Sequence, residues 1–474
     1  MTLSTKIAHN TIIQIISKIV ASLLGLATIA IITRYLGKSG FGDYTTIIIY
    51  LTFFATIADL GLTLVTVQLI SKPDADEKKI IGSLFGFRLV SAFFFLGLAI
   101  FISIFLPYSN IVKIGIAITA LSFLFVNFNQ ILVGIFQKNL RMDKVAIAEI
   151  ISRAFLFISI YLVYFFDYGL IGILIATVIS NFISFLFHYF FARKFVKAKI
   201  LFDFGVWRQI ISQSWPIAIT IFFNLIYLRA DTIILSLIKS SEEVGIYGAA
   251  YRVIDVLVTV PFMFAGIILP VLTKNWAEKN KIFFNIVLQK SFDVMVIMAI
   301  PMLIGTFFTA GDIINVIAGH SFSQSSLVLK ILMIASSFIF IGTMFSHAII
   351  AIEKQKQIIG AYVFVAITSL IAYFIFIPRF SYLGAAWVTV YSEFAIGFAS
   401  MVLVYKYTKF LPNLKLFLKV LLATSVMSLG LHYFNLNNYN LFLSITLSIF
   451  IYFISLYLFR GITKKEILDI LNKN

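Results

Sequence analysis

Apolar runs of 18 to 28 residues alternate with short polar breaks along almost the whole chain. They fall at 11–33, 43–66, 80–105, 114–136, 146–166 and 170–190, then at 210–237, 246–271, 286–309, 327–349, 358–378, 383–405, 417–434 and 441–459. A helix needs about 20 apolar residues to cross a hydrocarbon core roughly 30 Å thick. Strands of a membrane barrel would be about 10 residues long with alternating polarity, which this pattern lacks. The pattern therefore predicts an all-α polytopic membrane protein with about 14 transmembrane helices and little mass outside the bilayer.

Composition agrees: 61% of residues are hydrophobic and only 12% are charged. The net charge of +17 would suit a nucleic-acid binder, but its placement points elsewhere. One set of alternate loops holds Lys72, Lys78 and Lys79; Lys138, Arg141 and Lys144; Arg193, Lys194, Lys197, Lys199 and Arg208; and the tail's Arg460, Lys464, Lys465 and Lys473. The opposite loops hold only Arg34, Lys38, Lys113, Lys239 and Arg379. By the positive-inside rule the rich side is cytoplasmic, with both termini on it. The expected location is a bacterial inner membrane, and nucleic acid is excluded as a partner. The first run is longer than a signal-peptide core and lacks a small-residue cleavage site, so it is expected to stay as the first helix. Cysteine is absent, which removes disulfides and thiolate metal sites.

Internal similarity divides the chain. The break after the first span reads Leu36-Gly37-Lys38-Ser39-Gly40-Phe41-Gly42-Asp43-Tyr44, and that after the seventh ends Glu243-Val244-Gly245-Ile246-Tyr247. Each opens the next helix with Gly-x-Tyr. Gly172 to Ser180 and Gly384 to Ser392 share a second pattern, Gly followed by Thr-Val and Ser. The offsets are 203 and 212 residues. Six spans per copy give both copies the same orientation, related by an axis along the membrane normal, as in transporters whose two lobes rock around a central cleft. The expected division is an N-terminal lobe over 1–190, a basic linker over 191–209, a second lobe over 210–405, and a terminal helix pair with a tail over 406–474. Gly82-x-x-x-Gly86 has the spacing for close helix approach, although a single such motif also fits ordinary packing.

Ionisable residues at membrane depth cost about 3 kcal/mol or more and normally face a cavity or one another. Here they are Asp59, Arg88, Glu149, Arg153, Arg229, Asp231, Arg252, Asp255, Lys290, Asp293 and Glu393. Glu149 with Arg153, Arg252 with Asp255 and Lys290 with Asp293 have the spacing of self-neutralising pairs on one helix face. Arg88 has no carboxylate within a turn, so it must meet another helix, water or an anionic ligand; Asp59 also lacks a local cation and is one candidate partner. Acids slightly outnumber bases. Asp59, Glu149, Asp231, Asp255, Asp293 and Glu393 are therefore candidates for ion pairing or coupling.

No phosphate-binding loop, zinc-hydrolase or serine-hydrolase motif is present. His320 has no triad, and Asp74-Ala75-Asp76 sits in a short charged loop without a nucleotide domain. Neither an enzymatic activity nor a cofactor or metal is expected.

Leu36-Gly37-x-x-Gly40-Phe41-Gly42-x-Tyr44 followed by Asp59-Leu60-Gly61 resembles the opening of bacterial polysaccharide-repeat-unit flippases of the O-antigen (Wzx) type. Asp231-Thr-Ile-Ile-Leu235 and Val244-Gly245-x-Tyr247-x-x-Ala250-Tyr251-Arg252 resemble the start of that family's second half. The resemblance implies the multidrug/oligosaccharidyl-lipid/polysaccharide exporter superfamily. It also implies transport of undecaprenyl-pyrophosphate-linked oligosaccharide to the periplasmic leaflet, for O-antigen, lipopolysaccharide or capsule synthesis. In such proteins a cationic cavity holds the head group, which makes Arg88, Arg153, Arg252 and Lys290 the candidate substrate-binding cations. A polysaccharide polymerase and a chain-length regulator are the implied partners. Two rivals stay open, a cation-coupled small-molecule exporter and a lipid II flippase of the same superfamily.

Overall fold

The computed structural model describes residues 3–59, 61, 62, 66, 69, 70, 76–197, 199–437 and 439–461. Lys72, the Asp74-Ala75 part of the loop motif, Leu60 and the tail lysines lie outside the described residues. Bilayer-spanning chain satisfies its backbone internally, and the described residues form helices without strands. In order they are α1 (Leu3–Asp59), α2 (Glu77–Phe105), α3 (Asn110–Lys138), α4 (Met142–Phe165), α5 (Gly169–Ala192), α6 (Phe204–Ile238) and α7 (Ser241–Leu257). They continue with α8 (Thr259–Ala277), α9 (Lys281–Ala318), α10 (Ser325–Ala351), α11 (Gln355–Thr408), α12 (Lys415–Leu436) and α13 (Leu441–Leu458).

Among the described residues, 12 helical stretches are long and apolar enough to cross a membrane, with α7 and α8 forming one of them. Two of the 12 hold two spans each. In α1 the turn is made at Gly37, whose φ of 64° and ψ of −173° suit a residue without a Cβ. In α11 it is made at Ser381 (φ 50°, ψ −135°), just after Pro378. Counting each as two gives the fourteen spans that the hydropathy pattern predicts. The breaks at these two points are a single residue rather than a polar loop.

The chain forms two compact units, residues 1–248 with 317–321 and residues 249–316 with 322–474. The division falls at Gly248, beyond the basic segment 191–209, because α6 packs against α1 and α2 within the first unit. That unit's core includes Leu84, Phe87, Ile131, Ile135, Phe136 and Ile210.

Gly82 and Gly86 do permit a close approach, but to the extended segment after α5 rather than to a helix. A Cβ on Gly82 would sit 2.2 Å from the Lys199 carbonyl oxygen, and one on Gly86 would sit 2.1 Å from that of Leu201. Leu201 N donates to Gly82 O at 3.0 Å, and Trp207 Nε1 donates to Ser83 O at 3.0 Å. Lys79 completes the attachment at 2.9 Å from Asp203.

The two Gly-x-Tyr segments meet inside this same unit. A Cβ on Gly42 would lie 1.6 Å from Ser241 O, and one on Gly245 would lie 2.1 Å from Lys38 O. Lys38 Nζ pairs with Glu242 at 2.6 Å, and Ser241 Oγ donates to Asp43 Oδ1 at 2.6 Å. The glycines of the two sequence echoes are thus packed against each other's backbones.

In the second unit Phe284, Leu288, Phe345, Ala348, Val404 and Met427 share one core. Here α10 crosses α11 where Gly342 faces Gly397, a Cβ on the former falling 3.1 Å from the latter's Cα. The terminal pair α12–α13 is fastened to α9 at two heights. Tyr452 Oη donates to Ile297 O at 2.8 Å, and Asn435 Nδ2 donates to Phe308 O at 3.0 Å.

Candidate functional site

Arg88 lies about three turns from the start of α2, and its side chain is 0% exposed. Its guanidinium forms an ion pair with Asp59 at the end of α1, and Nη1 donates to Asn127 Oδ1 on α3 at 3.0 Å. Asn127 is itself oriented by Nδ2 donating to Phe123 O at 3.0 Å, and Ser91 Oγ donates to Ala58 O at 3.2 Å. Three helices therefore converge on one buried cation. A planar guanidinium suits this role because its donors fan out in fixed directions. Asp59, at 19% side-chain exposure, is the accessible edge of the cluster.

Asp231 on α6 is fully buried. Its Oδ2 accepts from the Tyr247 hydroxyl at 2.6 Å, while Oδ1 accepts from Thr232 N at 2.5 Å and Thr232 Oγ1 at 3.1 Å. The tyrosine of the second Gly-x-Tyr thus satisfies a buried carboxylate.

The other intramembrane charges are more dispersed. Glu149 on α4 pairs with Lys18 of α1 at 3.6 Å, not with Arg153 one turn away. Arg153 is exposed and makes no ion pair among the described residues. Helical spacing places two Cβ atoms on one face but leaves long side chains free to choose a neighbouring helix, and Glu149 does so. Arg252 and Asp255 on α7 do sit as an i,i+3 pair, at 3.7 Å. Lys290 and Asp293 on α9 do not: Asp293 accepts from Gln289 Nε2 at 2.8 Å, and Lys290 is exposed. Gln289 Oε1 in turn accepts from Asn413 N at 2.8 Å, so this side chain ties α9 to the segment before α12. Glu393 is buried on α11.

The sequence pattern does not single out two of the groups at the site, Asn127 and Tyr247. Asn127 carries a signal in the sequence, as one of three amides, with Asn129 and Gln130, in the apolar run of the fourth span. The Gly-x-Tyr motif contains Tyr247, but its role as a hydrogen-bond donor to Asp231 is visible only in the structure. Outside the spans, Asp203 begins α6, and its carboxyl is held below the usual range by the hydrogen bond from Lys79 and then by Val206 N.

A helical bundle of about fourteen spans, with paired charges buried within them, defines a polytopic membrane protein. Its fold is that of the multidrug/oligosaccharidyl-lipid/polysaccharide exporter superfamily. A solved structure of the lipid II flippase MurJ in an inward closed conformation aligns with a TM-score of 0.78 at 18% identity, over 95% of this chain and 98% of that one. Residues 7–276, more than half of the chain, match the polysaccharide biosynthesis protein family, and the chain belongs to that family. Among its relatives, the capsular polysaccharide biosynthesis protein CapF of Staphylococcus aureus is 24% identical over 282 residues, 59% of this chain and 71% of that protein. A Shigella flexneri protein named as an O-antigen transporter is 23% identical over 404 residues, 80% of this chain and 93% of its own length.

Proposed function

We propose that this protein is a flippase that moves a polyprenyl-pyrophosphate-linked oligosaccharide, with undecaprenyl as the lipid, from the cytoplasmic to the periplasmic leaflet. It works by alternating access in the inner membrane and hydrolyses no nucleotide itself. The observation that carries the reading is membership of the polysaccharide biosynthesis family over residues 7–276. The physical need is clear. Each hydroxyl moved unpaired into hydrocarbon costs about 4–8 kcal/mol, so an oligosaccharide head faces a barrier of tens of kcal/mol without a polar path. The two copies of the internal repeat, 1–190 and 210–405, are the rocking bodies of this proposal, with both termini cytoplasmic, and α6, which rests against α1 and α2 in this structure, has to part from them as the lobes rock. A polymerase and a chain-length regulator take the product.

Within this reading Arg88, Arg153, Arg252 and Lys290 are the cations that meet the pyrophosphate. Arg153 and Lys290 are exposed and Arg252 is partly so. Arg88 can reach the cargo only when Asp59 and Asn127 release it. The competing reading, a cation-coupled exporter, draws on Asp59, which is the partly exposed member of the buried cluster. Deletion of the gene decides between them. A flippase deletion accumulates lipid-linked oligosaccharide on the cytoplasmic leaflet and loses surface polysaccharide. Intact surface polysaccharide with increased sensitivity to amphiphilic cations would overturn the proposal.

A further inference from the structure

A cavity of about 570 Å³ opens in the second unit, between the last turns of α9 and the turn that joins α12 to α13. It falls within the size range of small-ligand pockets, about 300–1,000 Å³. In a chain that is 61% hydrophobic its wall is unusually polar, with Asp312 and Asn315 from α9, Asn435 from α12, and Tyr439 and Asn440 from the turn.

These groups are arranged rather than merely present. Asn435 commits its Nδ2 to Phe308 O, which leaves Oδ1 as an acceptor. Asn440 commits its Oδ1 to Phe442 N at 2.9 Å as the cap of α13, which leaves Nδ2 as a donor. The Tyr439 ring is held beside Phe434 with centroids 5.5 Å apart, and it adds a hydroxyl and an aromatic face. Asp312 is exposed and makes no ion pair among the described residues.

Among the described residues the wall contains no lysine, arginine or histidine, although the chain carries a net charge of +17. A phosphate or pyrophosphate would meet the Asp312 carboxylate with no compensating cation. One carboxylate with two or three amides is also a poor cage for a divalent cation, which prefers several carboxylates. What the set matches is a neutral ligand bearing many hydroxyls, each both donor and acceptor, and a ring with apolar C–H faces for the tyrosine.

We infer that α9 and the terminal pair α12–α13 build a saccharide-binding site, distinct from the charged residues within the spans. On the topology set by the basic loops, residues 310–326 and the α12–α13 turn share the outer side, so this site receives the sugar head after it has crossed. The inference rests on the flippase reading for the cargo, and it gives a role to the two helices that the internal repeat leaves out.

The absence of cysteine makes a local test available. Val316→Cys is labelled with bimane at the rim of the cavity, and the full-length protein is placed in nanodiscs. The probe is the oligosaccharide repeat released by mild acid from the cells' own surface polysaccharide. A saturable fluorescence change is expected, with affinity weakened about tenfold or more by Asp312→Ala and by Tyr439→Ala, as for loss of one hydrogen bond to a charged group. Asp312→Asn and Tyr439→Phe keep the side-chain shapes and serve where an alanine variant elutes abnormally. No saturable change, equal affinity in the variants, or a change produced by calcium alone would overturn the site. Failure of the flippase reading shows separately, as wild-type protein that moves no lipid-linked oligosaccharide in proteoliposomes.

Discussion

Arg88 and Asp59 pose a question that a single substitution cannot answer. Removing one member of a buried pair strands the other, at about 3–5 kcal/mol, so Arg88→Ala would fail whether or not cargo touches it. Replacing both members with apolar residues of similar volume removes that penalty. The double variant Arg88→Met with Asp59→Leu is therefore expected to recover the yield and thermal stability of the wild type but to leave surface polysaccharide absent. Arg88→Lys should retain only part of the transport, because a point charge lacks the planar fork that serves Asp59 and Asn127 together. Surface polysaccharide restored in the double variant would make the pair purely structural. The sequence showed this residue to be exceptional through depth alone, since no acid lies within a helical turn. It did not show Asn127 as the third member, because contacts across 39 residues of sequence depend on how helices rotate.

At the level of elements, hydropathy made the spans legible but not what happens between them. The turns at Gly37 and Ser381 are single residues, and no run of loop-forming residues announces the second of them. Gly82-x-x-x-Gly86 reads as a seat for a helix by its spacing, yet an irregular length of linker occupies it. Spacing reports that backbone approaches closely and says nothing about which backbone. The attachment is testable. A side chain at position 86 would collide with the Leu201 carbonyl, so Gly86→Leu is expected to free the segment and speed tryptic cleavage at Lys199 and Arg208 in inside-out vesicles. An order of magnitude is expected, from loss of protection worth about 1.4 kcal/mol or more. Unchanged cleavage would show that the linker is held elsewhere. The Lys79–Asp203 pair gives the same attachment a pH signature. The Asp203 carboxyl is depressed in the folded protein, so its contribution is complete above the unfolded value, about 3.9, and is lost as pH falls through the folded one. Protection should stay flat from neutral pH to about 5 and weaken only below about 4.

For the molecule as a whole, charge predicts the arrangement in the membrane site by site. Arginine and lysine near span ends resist translocation, so loops rich in them stay on the cytoplasmic side. The segment 193–208 holds five of them, Arg193, Lys194, Lys197, Lys199 and Arg208, whereas 310–326 holds none. An even number of spans separates the two termini, which places both on one side if all fourteen cross. An odd number, three, lies between 193–208 and 310–326, so those two segments must be labelled from opposite sides. The chain has no native cysteine, and exposed positions are available in both: Phe204 at the start of α6 and His320 in the turn after α9. With an impermeant maleimide on intact spheroplasts, His320→Cys is expected to react, as is Ile111→Cys in the exposed first turn of α3 on the same predicted outer side, and Phe204→Cys only after permeabilisation. Labelling of Phe204→Cys from outside would invert the protein. The cavity at the α12–α13 turn would then face the cytoplasm and meet the sugar before transport rather than after it. Labelling of Phe204→Cys and His320→Cys from the same side would instead remove one of the three spans between them, and with it the equal six-span copies on which the rocking of two lobes depends.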